Sequence, residues 1–129
     1  MEIQRINPDA LATPLAAYSQ VVRWGNTVTT AGLISTNADG QVVGEGDVEA
    51  QTRQTLDNVR NALEAAGASL KDVVKTTVYL SDVSNYRAMN AVYNEYFGEI
   101  KAARSTVGAQ MVLPSLLVEV EAMAVLDTD

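Results

Sequence analysis

The run Leu117-Val-Glu-Val-Glu-Ala-Met-Ala-Val125 alternates two kinds of side chain with a period of two. An extended strand produces that pattern, because successive side chains leave a strand on opposite faces. Val118, Val120, Ala122 and Ala124 therefore point one way, and Glu119, Glu121 and Met123 the other. A carboxylate on a strand that otherwise reads as buried is costly unless something pairs with it. Arg104, opening the strand before, is the nearby candidate. A fixed guanidinium beside a fixed carboxylate suggests a small site for an anionic substrate that needs acid/base help.

The rest of the chain supplies the other layers. Residues 2–6 read as a short edge strand, and residues 7–14 as a loop whose two prolines oppose helix and ladder alike. Strands follow near residues 18–23 and 27–34, joined through Gly25-Asn26, with a further turn at Asn37-Ala-Asp-Gly40 leading into residues 41–43. Asp47 is placed to cap a helix running to about Ala66, with the stripe Thr52, Leu56, Val59, Leu63 and Ala66. Gly67 falls where a left-handed terminator belongs. Residues 72–80 form a strand rich in Val and Thr, with Val74, Thr76, Val78 and Leu80 on one face. Ser84 is the expected cap of a second helix to Phe97, striped by Tyr86, Met89, Tyr93 and Tyr96/Phe97, and Gly98 ends it. Strands near 104–111 and 117–126 close the chain around Pro114.

The order is strands, helix, strand, helix, strands, over one domain spanning residues 1–129. Two helices cover only one face of a five- or six-stranded sheet. The other face carries apolar residues too, and a closed symmetric homo-oligomer is the simplest way to bury it.

Absent residue types narrow the chemistry. The chain has no histidine and no cysteine, which removes Ser-His and Cys-His nucleophiles, thiolate or imidazole zinc sites, disulfides and redox dithiols. Carboxylates, lysines, tyrosines and bound water remain for proton transfer. No acidic cluster has ligand-like spacing, and Asn37-Ala-Asp-Gly40 lacks the closing glutamate of a calcium loop, so no metal is expected. Nine basic against 16 acidic residues give a net charge of −7, and an acidic surface repels phosphate backbones. Nucleic acid is therefore not an expected partner. No stretch has the apolar length of a membrane span, and Met1-Glu-Ile-Gln-Arg5 does not begin a signal peptide, so the expectation is a soluble cytoplasmic protein.

Several segments occur together and in order: Pro14-Leu-Ala-Ala-Tyr-Ser-Gln20, Thr30-Ala-Gly-Leu-Ile34, Gln51-Thr-Arg-Gln-Thr-Leu-Asp-Asn-Val59 and Asp72-Val-Val-Lys-Thr-Thr-Val-Tyr-Leu80. Met89-Asn-Ala-Val-Tyr-Asn-Glu-Tyr-Phe97, Ala103-Arg-Ser105 and Val118-Glu-Val-Glu-Ala-Met-Ala-Val125 complete the set. Over nearly its whole length the chain resembles the RidA/YjgF family of enamine/imine deaminases. The resemblance implies an α+β fold similar to chorismate mutase and a homotrimer with its sheet faces packed around the threefold axis. It also implies sites in the clefts between subunits, an imino- or enamino-acid substrate and no cofactor. The substrate-carboxylate arginine of such enzymes falls on Arg104, and the glutamate that positions or activates water falls on Glu119. Tyr18, Gly32 and Asn90 match other pocket positions. Many members carry serine where this chain has Ala31 and cysteine where it has Thr106, which puts the substrate in question more than the reaction.

Blander readings stand beside these. Arg104 and Glu119 also fit an interface salt bridge, Asn90 a backbone-satisfying role, and Tyr18 packing. Tyr93 and Tyr96 fit a core stripe, and Glu121 a subunit-interface charge. At the level of function, the implied activity is hydrolysis of 2-aminoacrylate-derived 2-imino acids to 2-keto acids and ammonia. The alternatives are a pathway-specific enamine deaminase of the aminoacrylate or aminomuconate type, a regulator that binds carboxylates without turnover, and the ribonuclease activity reported for some relatives. The −7 charge and the lack of histidine weigh against the last.

Overall fold

A computed structural model describes residues 2–127. Six strands form one sheet: β1 (Ile3–Ile6), β2 (Val21–Trp24), β3 (Thr27–Thr30), β4 (Val73–Leu80), β5 (Ala103–Gly108) and β6 (Val118–Val125). Their order is β1-β2-β3-β6-β4-β5, with every neighbouring pair antiparallel except β4 and β5. Antiparallel neighbours can be joined by a tight turn, as Gly25 (φ 56°) does between β2 and β3. A parallel pair needs a crossover, and helix α2 (Tyr86–Phe97) supplies it between β4 and β5.

Helix α1 (Val48–Ala65) follows the pattern in its sequence closely. The Asp47 carboxylate accepts the Ala50 N–H at 3.1 Å, and Gly67 takes φ 85° just past the C-terminus. The α1 residues Leu56, Val59, Ala62 and Leu63 are fully buried, as is Met89 of α2, with Phe97 nearly so. Both helices lie on the sheet face formed by Val21, Val28, Val78, Leu80, Val118, Val120, Ala122 and Ala124. At about 1.5–3 kcal/mol for each fully buried large aliphatic or aromatic side chain, this one cluster drives folding. The buried Gln51 side chain connects α1 to the approach to β6. Its amide nitrogen donates to the Ser115 and Gly44 carbonyls (2.9 and 3.2 Å), and its Oε1 accepts the Leu117 N–H at 2.8 Å. The helix thereby fixes where the strand bearing Glu119 begins.

The opposite sheet face has no helix over it among the described residues. It displays Lys75, Thr77 and Tyr79 from β4, Glu119, Glu121, Met123 and Val125 from β6, and Ser105 and Val107 from β5, with Val107, Met123 and Val125 exposed. The mixed six-stranded sheet with two helices on one face is the expected architecture.

Some local expectations give way. Val74 does not join the buried face. A bulge between Val73 and Lys75 breaks the ladder to β6, so Val73 is buried while Val74 stands 45% exposed. An extra residue in one strand resets the alternation beyond it. The second helix is not capped by Ser84. The Asp82 carboxylate accepts both the Ser84 N–H (2.9 Å) and its hydroxyl (2.7 Å), and a 3₁₀ turn at Val83–Asn85 precedes α2. The Ser84 hydroxyl is spent as a donor to that carboxylate, and α2 starts after Asn85 with no side-chain cap. The ladder of β2 begins at Val21, leaving Tyr18 in a bent segment where its N–H reaches only the Ala16 carbonyl. On the far side β3 closes at Thr30, with Leu33 rejoining Val120 as an isolated bridge, and β5 ends at Gly108.

Candidate active site

The edge strand β5 and helix α2 build a seat for one guanidinium. Arg104 is in register with Thr76 of β4, which is fully buried, so its side chain turns to the helix-covered face. There Nη1 donates to Asn90 Oδ1 at 2.8 Å and Nη2 to the Tyr86 hydroxyl at 2.6 Å. The guanidinium carbon sits 4.6 Å from the Tyr93 ring centre and 5.5 Å from that of Tyr86. Both distances lie within cation–π range. The Tyr93 ring is held in turn by a 2.7 Å hydrogen bond between its hydroxyl and that of Thr76. Burial pushes the Tyr93 phenol above its ordinary value, with the Thr76 bond and the Arg104 charge pulling the other way. The ring thus stays neutral beneath the cation.

Two of the five guanidinium N–H donors are committed to these neutral partners, and no ion pair among the described residues involves Arg104. A hollow of about 190 Å³ adjoins it, lined by Asn90, Tyr93, Asn94, Phe97, Lys101 and Arg104 among others. Two positions along β5, on the same face, the Thr106 hydroxyl is buried with no hydrogen-bond partner among the described residues. Such an orphaned group costs about 1–3 kcal/mol, and a polar ligand atom would relieve it.

Glu119 occupies a different place. It stands opposite Tyr79 of β4, on the open face. Burial, followed by the neighbouring Glu121 charge, raises its pKa above the ordinary carboxylate value. Gly32 makes room for it. A β-carbon on Gly32 would overlap Glu119 Oε2 and lie 2.9 Å from Cδ, although the backbone there is not in the left-handed region. Ala31 precedes it, half-buried, with its N–H on the Gln20 carbonyl at 2.9 Å. Gly32→Ala is therefore expected to displace the Glu119 carboxylate, at a strain of about 1–3 kcal/mol. Thermal melting reads the strain, and a variant melting like the wild type would show that the space is not needed.

The seven residues singled out in the sequence thus fall into groups. Arg104, Asn90 and Thr106 gather on the helix side of β5. Glu119 and Gly32 meet on the open face, with Ala31 next in sequence. Tyr18 projects from its loop, 51% exposed, with no side-chain partner among the described residues. Arg104 does not pair with Glu119 within the chain. The β4–β5 and β4–β6 registers set them on opposite faces, with β4 between their strands. Tyr86 and Tyr93, assigned to a core stripe from sequence, are the wall and floor of the guanidinium seat. Their spacing with Asn90 (86, 90, 93) puts all three on one helix face, and that was the available signal.

Fold and site define a small α+β protein with a preorganised guanidinium at the sheet edge. The sequence profile of the family described as Endoribonuclease L-PSP matches residues 9–126. A RutC family protein of Pyrococcus horikoshii is 45% identical over 111 residues, covering 86% of this chain and 88% of that one. The 3-aminoacrylate deaminase RutC of Acinetobacter baylyi is 38% identical over 119 residues, covering 92% and 94%. The crystal structure of the YjgF gene product from E. coli superposes with a TM-score of 0.87 at 38% identity, covering 96% and 99%. The chain belongs to this family, the RidA/YjgF family that its motifs resemble.

Proposed function

We propose that this protein hydrolytically deaminates small 2-imino acids and their enamine tautomers, as a homotrimer whose sites lie between neighbouring subunits. The observation that carries the reading is the Arg104 guanidinium, held by neutral groups and an aromatic face with no carboxylate partner among the described residues. A cation so fixed is suited to a substrate carboxylate, gripped through two parallel N–H donors. The relative named a 3-aminoacrylate deaminase supports the reaction class.

The chemistry then follows. The enamine takes a proton on carbon and becomes the imine. Water adds to the C=N carbon, giving a carbinolamine that expels ammonia and leaves the 2-keto acid. Arg104 fixes the carboxylate and so the position of the imine carbon. Glu119 orients the water and accepts its proton, a role suited to a carboxyl whose pKa burial has raised. The unpartnered Thr106 hydroxyl offers a hydrogen bond to the reacting nitrogen or oxygen. Asn90 keeps the guanidinium in plane, and Gly32 leaves space for the carboxyl. Ala31, lacking a hydroxyl, widens the wall for a less polar substrate side chain, and Tyr18 closes the cleft from its exposed loop.

One chain cannot bring Arg104 and Glu119 to the same small ligand, because they lie on opposite sheet faces. A second copy, presenting its Glu119 face to the edge strand of the first, unites them. The exposed Val107, Met123 and Val125 give that packing an apolar margin. The site is thus incomplete without assembly.

The test is release of ammonia and keto acid from enzymatically generated imino acids of graded side-chain size, with semicarbazide competing for free imine. Acceleration is expected, with light scattering reporting a trimer. Binding of keto acids without acceleration of any imine would make the protein a carboxylate-binding regulator instead. The same assay with 3-aminoacrylate tests a second reading, favoured by the name of the Acinetobacter relative, in which the reacting carbon lies one bond further from the carboxylate.

A further inference from the structure

On the open sheet face Glu119 and Glu121 are two positions apart on β6 and project the same way. Two like charges so placed disfavour one another, and the groups around each carboxyl decide which is free to act on a substrate. Tyr79 is the group between them. It is the cross-strand partner of Glu119, yet its hydroxyl reaches diagonally and donates to Glu121 Oε1. The hydrogen bond to Glu121 is the foremost cause raising the Tyr79 phenol above its ordinary value, followed by burial and then by the charges of Glu121 and Glu119. The phenol therefore remains a donor, and the Glu121 oxygen it holds is an acceptor.

Within one chain, the remaining described groups on this face leave the glutamates to each other, the Arg104 of a neighbouring copy being the cation that the proposed assembly adds. Lys75, further along β4, donates to the Ser105 hydroxyl at 2.9 Å. Thr77 stands opposite Glu121, and β5 contributes Ser105 and Val107. Against Glu119 itself the chain presents Gly32, which has no side chain to donate or accept. The sole side-chain hydrogen bond to either carboxyl among the described residues is the one from Tyr79 to Glu121.

We propose that Tyr79 and Glu121 are positioning residues for Glu119: the phenol engages the Glu121 carboxyl as its acceptor and leaves Glu119 as the one carboxyl of the pair free to take a proton from a substrate water. This rests on the reading of Glu119 as the group that takes a proton from the attacking water. It adds a reason why one glutamate of two near-equivalents carries that task. Burial and a fixed adjacent charge both favour the protonated form of Glu119, so that it holds the proton firmly between water attack and ammonia release. Without the Tyr79 bond, no side-chain hydrogen bond among the described residues would distinguish Glu119 from Glu121.

The experiment is a carbon-13 titration of the glutamate side-chain carboxyls in the full-length protein, as wild type, Tyr79→Phe and Glu121→Gln, with the pH profile of turnover beside it. In wild type Glu119 is expected to titrate in one step above the ordinary carboxylate range. In Glu121→Gln its midpoint moves down toward that range, and the acidic limb of the turnover profile moves with it. In Tyr79→Phe the Glu119 midpoint moves as well, and kcat falls by roughly tenfold, a part of the 10²–10⁴ typical of general acid–base catalysis, with KM little changed. Unchanged Glu119 titration in both variants overturns the proposal, whatever the activity. If wild type releases no ammonia but the titrations shift as stated, the deaminase reading fails while the Tyr79–Glu121 control of Glu119 stands. The two variants back each other, since each keeps the size and shape of the residue it replaces.

Discussion

Arg104→Ala is expected to lower kcat/KM for imine hydrolysis by at least about 10³-fold while leaving the folded chain and its assembly intact. A bidentate charge-assisted pair does two things for a small substrate. It supplies binding, at about 1.5–3 kcal/mol for each hydrogen bond to a charged group. It also holds the reacting carbon in register with the water, where misplacement alone costs about 10² in rate. Together these exceed three powers of ten. The fold should tolerate the change, because Arg104 is only half-buried and lies on an edge strand. Its partners, the Asn90 amide and the Tyr86 hydroxyl, lie where water can replace it, and neither is a buried core group.

Arg104→Lys separates charge from geometry. It keeps the cation but loses the planar fork, and an ammonium does not lie flat on the Tyr93 ring as a guanidinium does. Activity between wild type and Arg104→Ala is expected, with KM rising more than kcat falls. Initial rates of ammonia release, with light scattering and thermal melting on the same samples, check both variants. Near-normal turnover by Arg104→Ala would remove the carboxylate clamp from the mechanism.

Most of the scaffold behind this clamp was legible, for reasons that differ along the chain. Helix α1 combines a carboxylate cap, a glycine terminator and a regular apolar stripe, all set by residues within the helix or beside it. Strand β6 declares its two faces by strict alternation. Where long-range pairing decides, the sequence was silent. The bulge at Val74 follows from how β4 is laid against β6, and no local pattern announces an extra residue. Asp82, two residues upstream and charged, caps an intervening 3₁₀ turn and engages Ser84, so that α2 begins after Asn85 with no side-chain cap.

The same distinction explains the site. Arg104 and Glu119 stand out as candidates for the chemistry from residue type alone. That they face opposite ways could not be read so, because it depends on the relative register of three strands far apart in the chain. Tyr86 and Tyr93 illustrate a different obstacle. A tyrosine on a helix stripe reads as core, and Tyr93 is indeed buried, with only its ring face turned to the guanidinium. Burial and function are not exclusive for a side chain with an apolar body and a polar rim.

Glu119→Gln is expected to trade activity for stability. Turnover should fall by about 10²–10⁴, since glutamine neither accepts the proton of the attacking water nor returns it to the leaving ammonia. Stability should move the other way at neutral pH. Burial and the Glu121 charge raise the Glu119 pKa in the folded chain, so between the unfolded and folded values the native state binds a proton that the unfolded state has released. Stability therefore falls as pH rises through that window and stays lowered above it. Glutamine is always neutral and escapes this loss. The melting temperature of the variant should match or exceed that of the wild type at pH 7, and the difference should shrink as pH drops below the ordinary carboxylate value. Wild-type activity should rise with pH through the folded-state value, because only the ionised carboxylate can accept the proton. A variant less stable than wild type at pH 7, yet still turning over imines at a comparable rate, would recast Glu119 as a structural charge at a subunit contact. The opposite pattern, an inactive but more stable protein, is what a catalytic carboxyl held in an unfavourable setting requires.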